Sequence, residues 1–131
     1  MKRLEVQPSF DEVSTARRFV RRALASASAS ADLAGDMQLI VSELVSNAIE
    51  HGANEQVVVQ ISVSGSKVVM SVESHGTVDQ LPRLEQWALA SADEVSGRGL
   101  GIVRDLADSV QVERGNSSIM ITVQRRFSPA T

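Results

Sequence analysis

Apolar residues recur at helical spacing in two stretches of the N-terminal part of the chain. Val13, Ala16, Val20, Ala23 and Leu24 define one stripe, while Arg17, Arg18, Arg21 and Arg22 occupy the remaining face of the same helix. Those arginines suit a solvated face or, alternatively, a docking surface for an acidic partner. Ser9 and Glu12 stand at capping-box spacing, in which each side chain satisfies a backbone N–H, so the first helix is predicted to begin there. The small residues from Ala25 to Ala31 predict a frayed helix end and a connection. From Asp32 onward, Met37, Ile40, Val41, Leu44, Val45, Ala48 and Ile49 keep the i, i+3, i+4 pattern and predict a second, longer helix. His51 in its last turn and Gly52 just beyond it form a stop signal.

The pattern then changes to strand-forming runs. Gln56 to Val63 and Lys67 to Ser74 are rich in β-branched residues and are separated by Ser64-Gly65-Ser66, which predicts a local antiparallel hairpin. Ser109 to Glu113 and Ser118 to Arg125 predict a second hairpin turning at Arg114-Gly115-Asn116. Lys2 to Val6, closed by Pro8, reads as a short edge strand. A short helix anchored by Trp87 fits within Pro82 to Ala92, and another helix runs through Leu106 after the glycine-rich segment Ser96 to Gly101. The resulting order is β-α-α-β-β-α-β-β. Hairpins with helices clustered between them predict an α+β fold, a two-layer sandwich with helices on one face of a mostly antiparallel sheet.

Composition narrows the function classes. The 131 residues suit one domain, read as 1–127 with 128–131 as a loose tail, and 43% hydrophobic with 22% charged residues is typical of a folded soluble protein. A net charge of −3 and a pI of about 5.3 give no global attraction to nucleic acid. No apolar run approaches the roughly 20 residues that span a bilayer, and charges occupy the place of a secretory signal, so a cytoplasmic location is expected. The absence of cysteine removes disulfides, thiolate metal sites and a thiol nucleophile.

The candidate chemistry lies on the second helix and at the glycines. Glu43, Asn47 and His51 are spaced four residues apart and form one polar line beside the apolar stripe, drifting toward the core rim. A carboxylate there can take a proton, and a neutral amide oxygen one turn later can ligate a hard cation such as Mg²⁺. Taken singly, Asn47 reads equally as a local hydrogen-bonding group and His51 as a helix cap. Gly97-Arg98-Gly99-Leu100-Gly101 immediately precedes the apolar positions Ile102, Val103 and Leu106, a placement in which helix N–H groups attract phosphate and Arg98 can add a cationic contact. A flexible turn with an exposed arginine accounts for the same letters.

Together these motifs carry a resemblance. Glu43-Leu44-Val45-Ser46-Asn47-Ala48-Ile49-Glu50-His51-Gly52 looks like the N-box of the GHKL (Bergerat-fold) ATPase superfamily, and Gly97 to Gly101 resembles its glycine-rich phosphate loop. The match is nearest to the bacterial anti-sigma-factor serine kinases and covers almost the whole chain. The resemblance implies that Glu43 acts as general base on a protein serine and that Asn47 coordinates Mg²⁺. It also implies that Gly97, Arg98, Gly99, Leu100 and Gly101 hold the ATP phosphates, with His51 beside the nucleotide. Trp87 to Ser96 would form a lid. The implied partners are a sigma factor and an anti-anti-sigma protein that receives the phosphoryl group, with a homodimer as a further family expectation.

One position departs from that pattern. Where the family has Asp-x-Gly to receive the adenine amino group, this chain has Ser74-His75-Gly76. Strand alternation groups Ser74 with Val68, Met70 and Val72 and sends Glu73 to the other face; if the Ser74 face packs inward, the resemblance puts Ser74 at the adenine position, while Gly76 keeps the turn. A hydroxyl in place of a carboxylate acceptor forfeits roughly 1.5–3 kcal/mol, about one to two decades of affinity. Two readings follow: an active kinase, and a nucleotide-weak, pseudokinase-like switch that keeps the fold and the partner interface. His51 and His75 are both expected within or beside the pocket.

Overall fold

The computed structural model describes residues 1–26, 30–51, 55–75 and 95–128. Strand β1 spans Lys2–Val6, followed by a 3-10 turn at Phe10–Glu12, helix α1 at Val13–Ser26 and helix α2 at Ala31–His51. Strands β2 (Val57–Ser64) and β3 (Lys67–His75) come next, then helix α3 (Val95–Leu106) and strands β4 (Ser109–Arg114) and β5 (Ser118–Arg126). The short helix expected around Trp87 lies outside the described residues.

All strand pairs are antiparallel, in the order β1-β2-β3-β5-β4. β1 is therefore the edge strand its brevity and Pro8 suggested. The inner-face register aligns Val59 with Val72, Val72 with Ile121 and Ile121 with Val112. On the outer face the matching row is Gln60, Ser71, Thr122 and Gln111. A sheet with one apolar and one polar face must be covered on one side only. α1 packs on β1 and β2, α2 on β3 and α3, and the two long helices pack on each other.

The core between the layers is aliphatic. Val20 and Leu24 of α1 meet Met37, Ile40, Val41, Leu44 and Val45 of α2 above Val59, Ile61, Val68, Met70 and Val123 of the sheet, all at most 2% exposed. Both predicted helical stripes are thus the buried ones, and Arg17, Arg18, Arg21 and Arg22 are exposed. The helix starts differ from expectation. Ser9 Oγ accepts from the Asp11 N–H at 3.4 Å, not from Glu12, whose N–H goes to the Ser9 carbonyl at 2.9 Å; a 3-10 turn closes first and α1 proper begins at Val13. α2 is capped by Ser30, whose Oγ accepts from the Leu33 N–H at 3.2 Å.

A tight hairpin turn and a long-range arginine clamp fix neighbouring elements. Gly65 opens the two-residue turn of the β2–β3 hairpin at φ 54°, a left-handed conformation that side chains with a Cβ resist. Arg125 of β5 donates Nη1 to the Leu106 carbonyl at 2.6 Å and places Nη2 2.8 Å from Asp36 Oδ2. One guanidinium thereby satisfies the C-terminal end of α3 and ties it to α2.

Candidate functional site

Among the described residues, the core contains two buried polar side chains, Asn47 and Ser74, each 7% exposed. Burying an amide or a hydroxyl costs free energy unless something bonds it. Both are positions singled out from the sequence, and they come from adjacent elements, because α2 packs directly on β3.

Asn47 sits deeper than the rim position expected of it. Its Nδ2 donates to the Glu43 backbone carbonyl, one turn earlier, at 2.9 Å. A carbonyl oxygen can only accept, so the atom facing it must be the NH₂ group, and Oδ1 is oriented away from that bond. Among the described residues Oδ1 has no hydrogen-bond partner. The side chain is held by its donor end with its hard oxygen available, the donor chemistry suited to Mg²⁺. No group of three or more acidic or histidine side chains with metal-binding geometry occurs among the described residues. An ion here would be shared between this one oxygen and a ligand's own oxygens, as Mg²⁺–phosphate sites are. Glu43 itself is half-buried at the outer end of the line, and α2 continues through His51.

Ser74 falls on the helix-facing side of β3 with Val68, Met70 and Val72, as strand alternation required. Its hydroxyl has no partner among the described residues. Glu73 and His75 fall on the other face, where with Glu5 and Glu55 they line an open groove of about 670 Å³. The expectation that His75 lies beside the pocket is therefore corrected, since a one-residue step along a strand reverses the side-chain direction. His75 Nδ1 lies 3.7 Å from Glu55 Oε2 and makes no hydrogen bond with any described residue. Gly76 lies outside the described residues.

The glycine segment also needs correction. Gly97 to Gly101 does not precede α3 but forms part of its first turns, the helix starting at Val95. No described glycine other than Gly65 has positive φ, so these glycines adopt helical backbone, at a cost of roughly 0.8–1.0 kcal/mol each relative to alanine. Leu100 (1% exposed) and Val103 (0%) pack into the core and hold the helix in place. In a helix starting at Val95 the first N–H groups, those of Val95, Ser96 and Gly97, have no intrahelical acceptor, whereas those of Gly99, Leu100 and Gly101 donate into the helix. Anion-binding capacity thus sits at the helix start and is not spread over the whole motif. Arg98 lies on the same turn. Of the expected lid, Trp87 to Glu94 lies outside the described residues and Val95 and Ser96 open α3.

Sequence reasoning missed the Ser30 cap and the Arg125 clamp. Ser30, three residues ahead of Leu33, carried a readable signal; the pairing of Arg125 with Asp36 spans too much chain to be read from spacing.

A family model described as histidine kinase-like ATPase domain matches residues 6–125. Among solved structures, the RsbU and RsbW domains of Rv1364c from Mycobacterium tuberculosis superpose with a TM-score of 0.71 at 21% identity, covering 100% of this chain and 35% of that one. This chain therefore spans about a third of the length of that two-domain chain. The SiaB–SiaC complex from Pseudomonas aeruginosa gives 0.68 at 14% identity, covering 95% and 88%. The catalytic domain of the histidine kinase ThkA, in a nucleotide-free form, gives 0.54 at 17% identity, covering 99% and 100%. At these identities the likenesses speak for the fold. No curated protein matches, and no helix among the described residues is long and apolar enough to cross a membrane.

Proposed function

Because the chain belongs to the histidine kinase-like ATPase domain family, we propose that it is an ATP-dependent protein serine kinase of the anti-sigma-factor type. In this reading it phosphorylates an anti-anti-sigma protein and restrains a sigma factor. The observation that carries the proposal is the tethered Asn47, whose NH₂ group is spent on the Glu43 carbonyl so that its acceptor oxygen is left to face a ligand one turn from a half-buried carboxylate. Structural likeness to an RsbW domain and to SiaB supports the choice within the family.

In this reading the N–H groups at the start of α3 hold phosphate oxygens, aided by the helix dipole. Ser74 accepts from the adenine amino group directly or through a water. Mg²⁺, when bound at Asn47 Oδ1 and the phosphates, supplies charge neutralisation on the transferring group. Glu43 receives the proton of the substrate serine as its Oγ bonds to the γ-phosphorus, while the bond to the bridging oxygen breaks and ADP leaves with that electron pair. The remaining work is positioning, done by side chains anchored on α2 and amides fixed on α3.

A titration of the full chain with Mg-ATP, followed by phosphotransfer to a candidate serine-bearing partner, tests this. The expected result is saturable nucleotide binding and transfer that Glu43→Ala abolishes while nucleotide binding persists. Transfer that survives Glu43→Ala removes the base from the scheme. Absence of nucleotide binding selects the second reading, a switch that keeps the fold and partner surface without turnover, which the Ser74 replacement favours.

A further inference from the structure

Helix α1 concentrates charge against the sign of the whole molecule. Arg17, Arg18, Arg21 and Arg22 lie within two turns, in a chain of net charge −3. All are exposed, and none pairs with a carboxylate among the described residues; Arg18 reaches only Thr15 Oγ1, at 3.5 Å. Arg17 and Arg21, and likewise Arg18 and Arg22, stand at i, i+4, where like charges destabilise an isolated helix. Two of the four, Arg18 and Arg22, line a groove of about 420 Å³ between α1 and the edge strand β1. Its apolar lining comes from Leu4, Phe19 and Ala23, and Lys2 adds a third cation. β1 has a partner strand on one side only.

We propose that this α1–β1 groove docks an acidic segment of a partner protein, in which carboxylates flank one large apolar side chain. The cationic rim supplies the charge complement and steers the encounter. The apolar floor supplies the contact that turns attraction into a defined complex, because an anchor side chain in a pocket dominates such interfaces. Guanidinium groups suit carboxylates by forming paired hydrogen bonds. An anionic bilayer or a nucleic acid would also feel the arginines, but neither places an apolar side chain in a concave groove. The inference is independent of phosphoryl transfer.

The test uses the full chain and a fluorescently labelled peptide of glutamates around a central leucine. It is compared with versions carrying Lys for Glu or Ala for Leu, with vesicles of phosphatidylcholine and phosphatidylserine, and with a single-stranded oligonucleotide. The acidic peptide is expected to bind in a salt-dependent manner, the lysine version not at all, and the alanine version more weakly. The doubly substituted Arg18→Glu/Arg22→Glu protein should lose at least about tenfold in affinity with an unchanged unfolding midpoint, both sites being exposed. Phe19→Leu, which keeps the packing volume close, should weaken the peptide and leave its salt dependence intact. Equal binding of acidic and basic peptides, an unaltered affinity in the double variant, or binding confined to vesicles or the oligonucleotide overturns the proposal. So does concentration-dependent self-association that the double variant abolishes, since a second copy would then be the occupant.

Discussion

The Asn47 side chain donates to the backbone carbonyl of Glu43 at 2.9 Å, so the amide is tied to its own helix one turn back while the bond places no constraint on the Glu43 carboxylate. The bond consumes the donor end of the amide and leaves the acceptor end free of partners among the described residues. An amide held by its donor end, with its oxygen spare, is chemically suited to ligate a hard cation.

Asn47→Ala removes both halves of that arrangement. Loss of the hydrogen bond should cost about 1 kcal/mol of stability, seen as a lower urea midpoint with an unchanged m-value. The functional half is separable: wild-type ATP affinity should drop when Mg²⁺ is chelated, and the variant's should not respond. A variant that keeps the full Mg²⁺ dependence contradicts cation binding at Oδ1.

Ser74→Asp should restore the carboxylate acceptor on the buried face of β3 and tighten ATP at least about tenfold. Without nucleotide, a carboxylate at a 7% exposed position should lower stability. The thermal shift on adding Mg-ATP should therefore be larger than in the wild type. An unchanged dissociation constant argues that Ser74 does not face the adenine.

Arg125 and Asp36 can be separated by their second partners. Arg125→Leu strands the Leu106 carbonyl as well as Asp36 and should cost about 1–3 kcal/mol. Asp36→Ala removes only an ion pair whose side chains are 25% and 33% exposed, worth about 1 kcal/mol or less. Equal losses in chemical denaturation would show that the α3 cap contributes nothing beyond the ion pair.

Gly65 offers a backbone test free of packing. A Cβ there would meet nothing within 4 Å, yet φ is +54°. Gly65→Val should cost roughly 1–2 kcal/mol, while Gly65→Asn, whose side chain tolerates the left-handed region, should cost less. Matching unfolding midpoints for the two variants would mean that the turn relaxes.

Much of the fold was legible because its signals are local. The stripes of α1 and α2, the two hairpins and the inward direction of Ser74 follow from periods of 3.6 and 2 that neighbouring residues enforce on one another. The site was legible in part, since Glu43 and Asn47 share one helix face by spacing alone. Where a helix starts was not legible: Ser9 initiates a 3-10 turn before α1, and the glycines expected before α3 lie inside it. Glycine by itself disfavours helix, and the packing of Leu100 and Val103 overrides that preference.

By itself the sequence determined which residues face inward, because amphipathic patterning couples hydrophobic burial to backbone period. It also placed a carboxylate and an amide one turn apart. Only the tertiary structure decided what those groups do with their atoms. Packing α2 on β3 buried Asn47 and Ser74 together, tethering Asn47 left one oxygen free, and the strand pleat put His75 on the far side of the sheet. Contacts between distant segments set the burial, which nothing in a residue's own neighbourhood along the chain encodes, whereas the tether and the pleat act locally within the frame that packing provides.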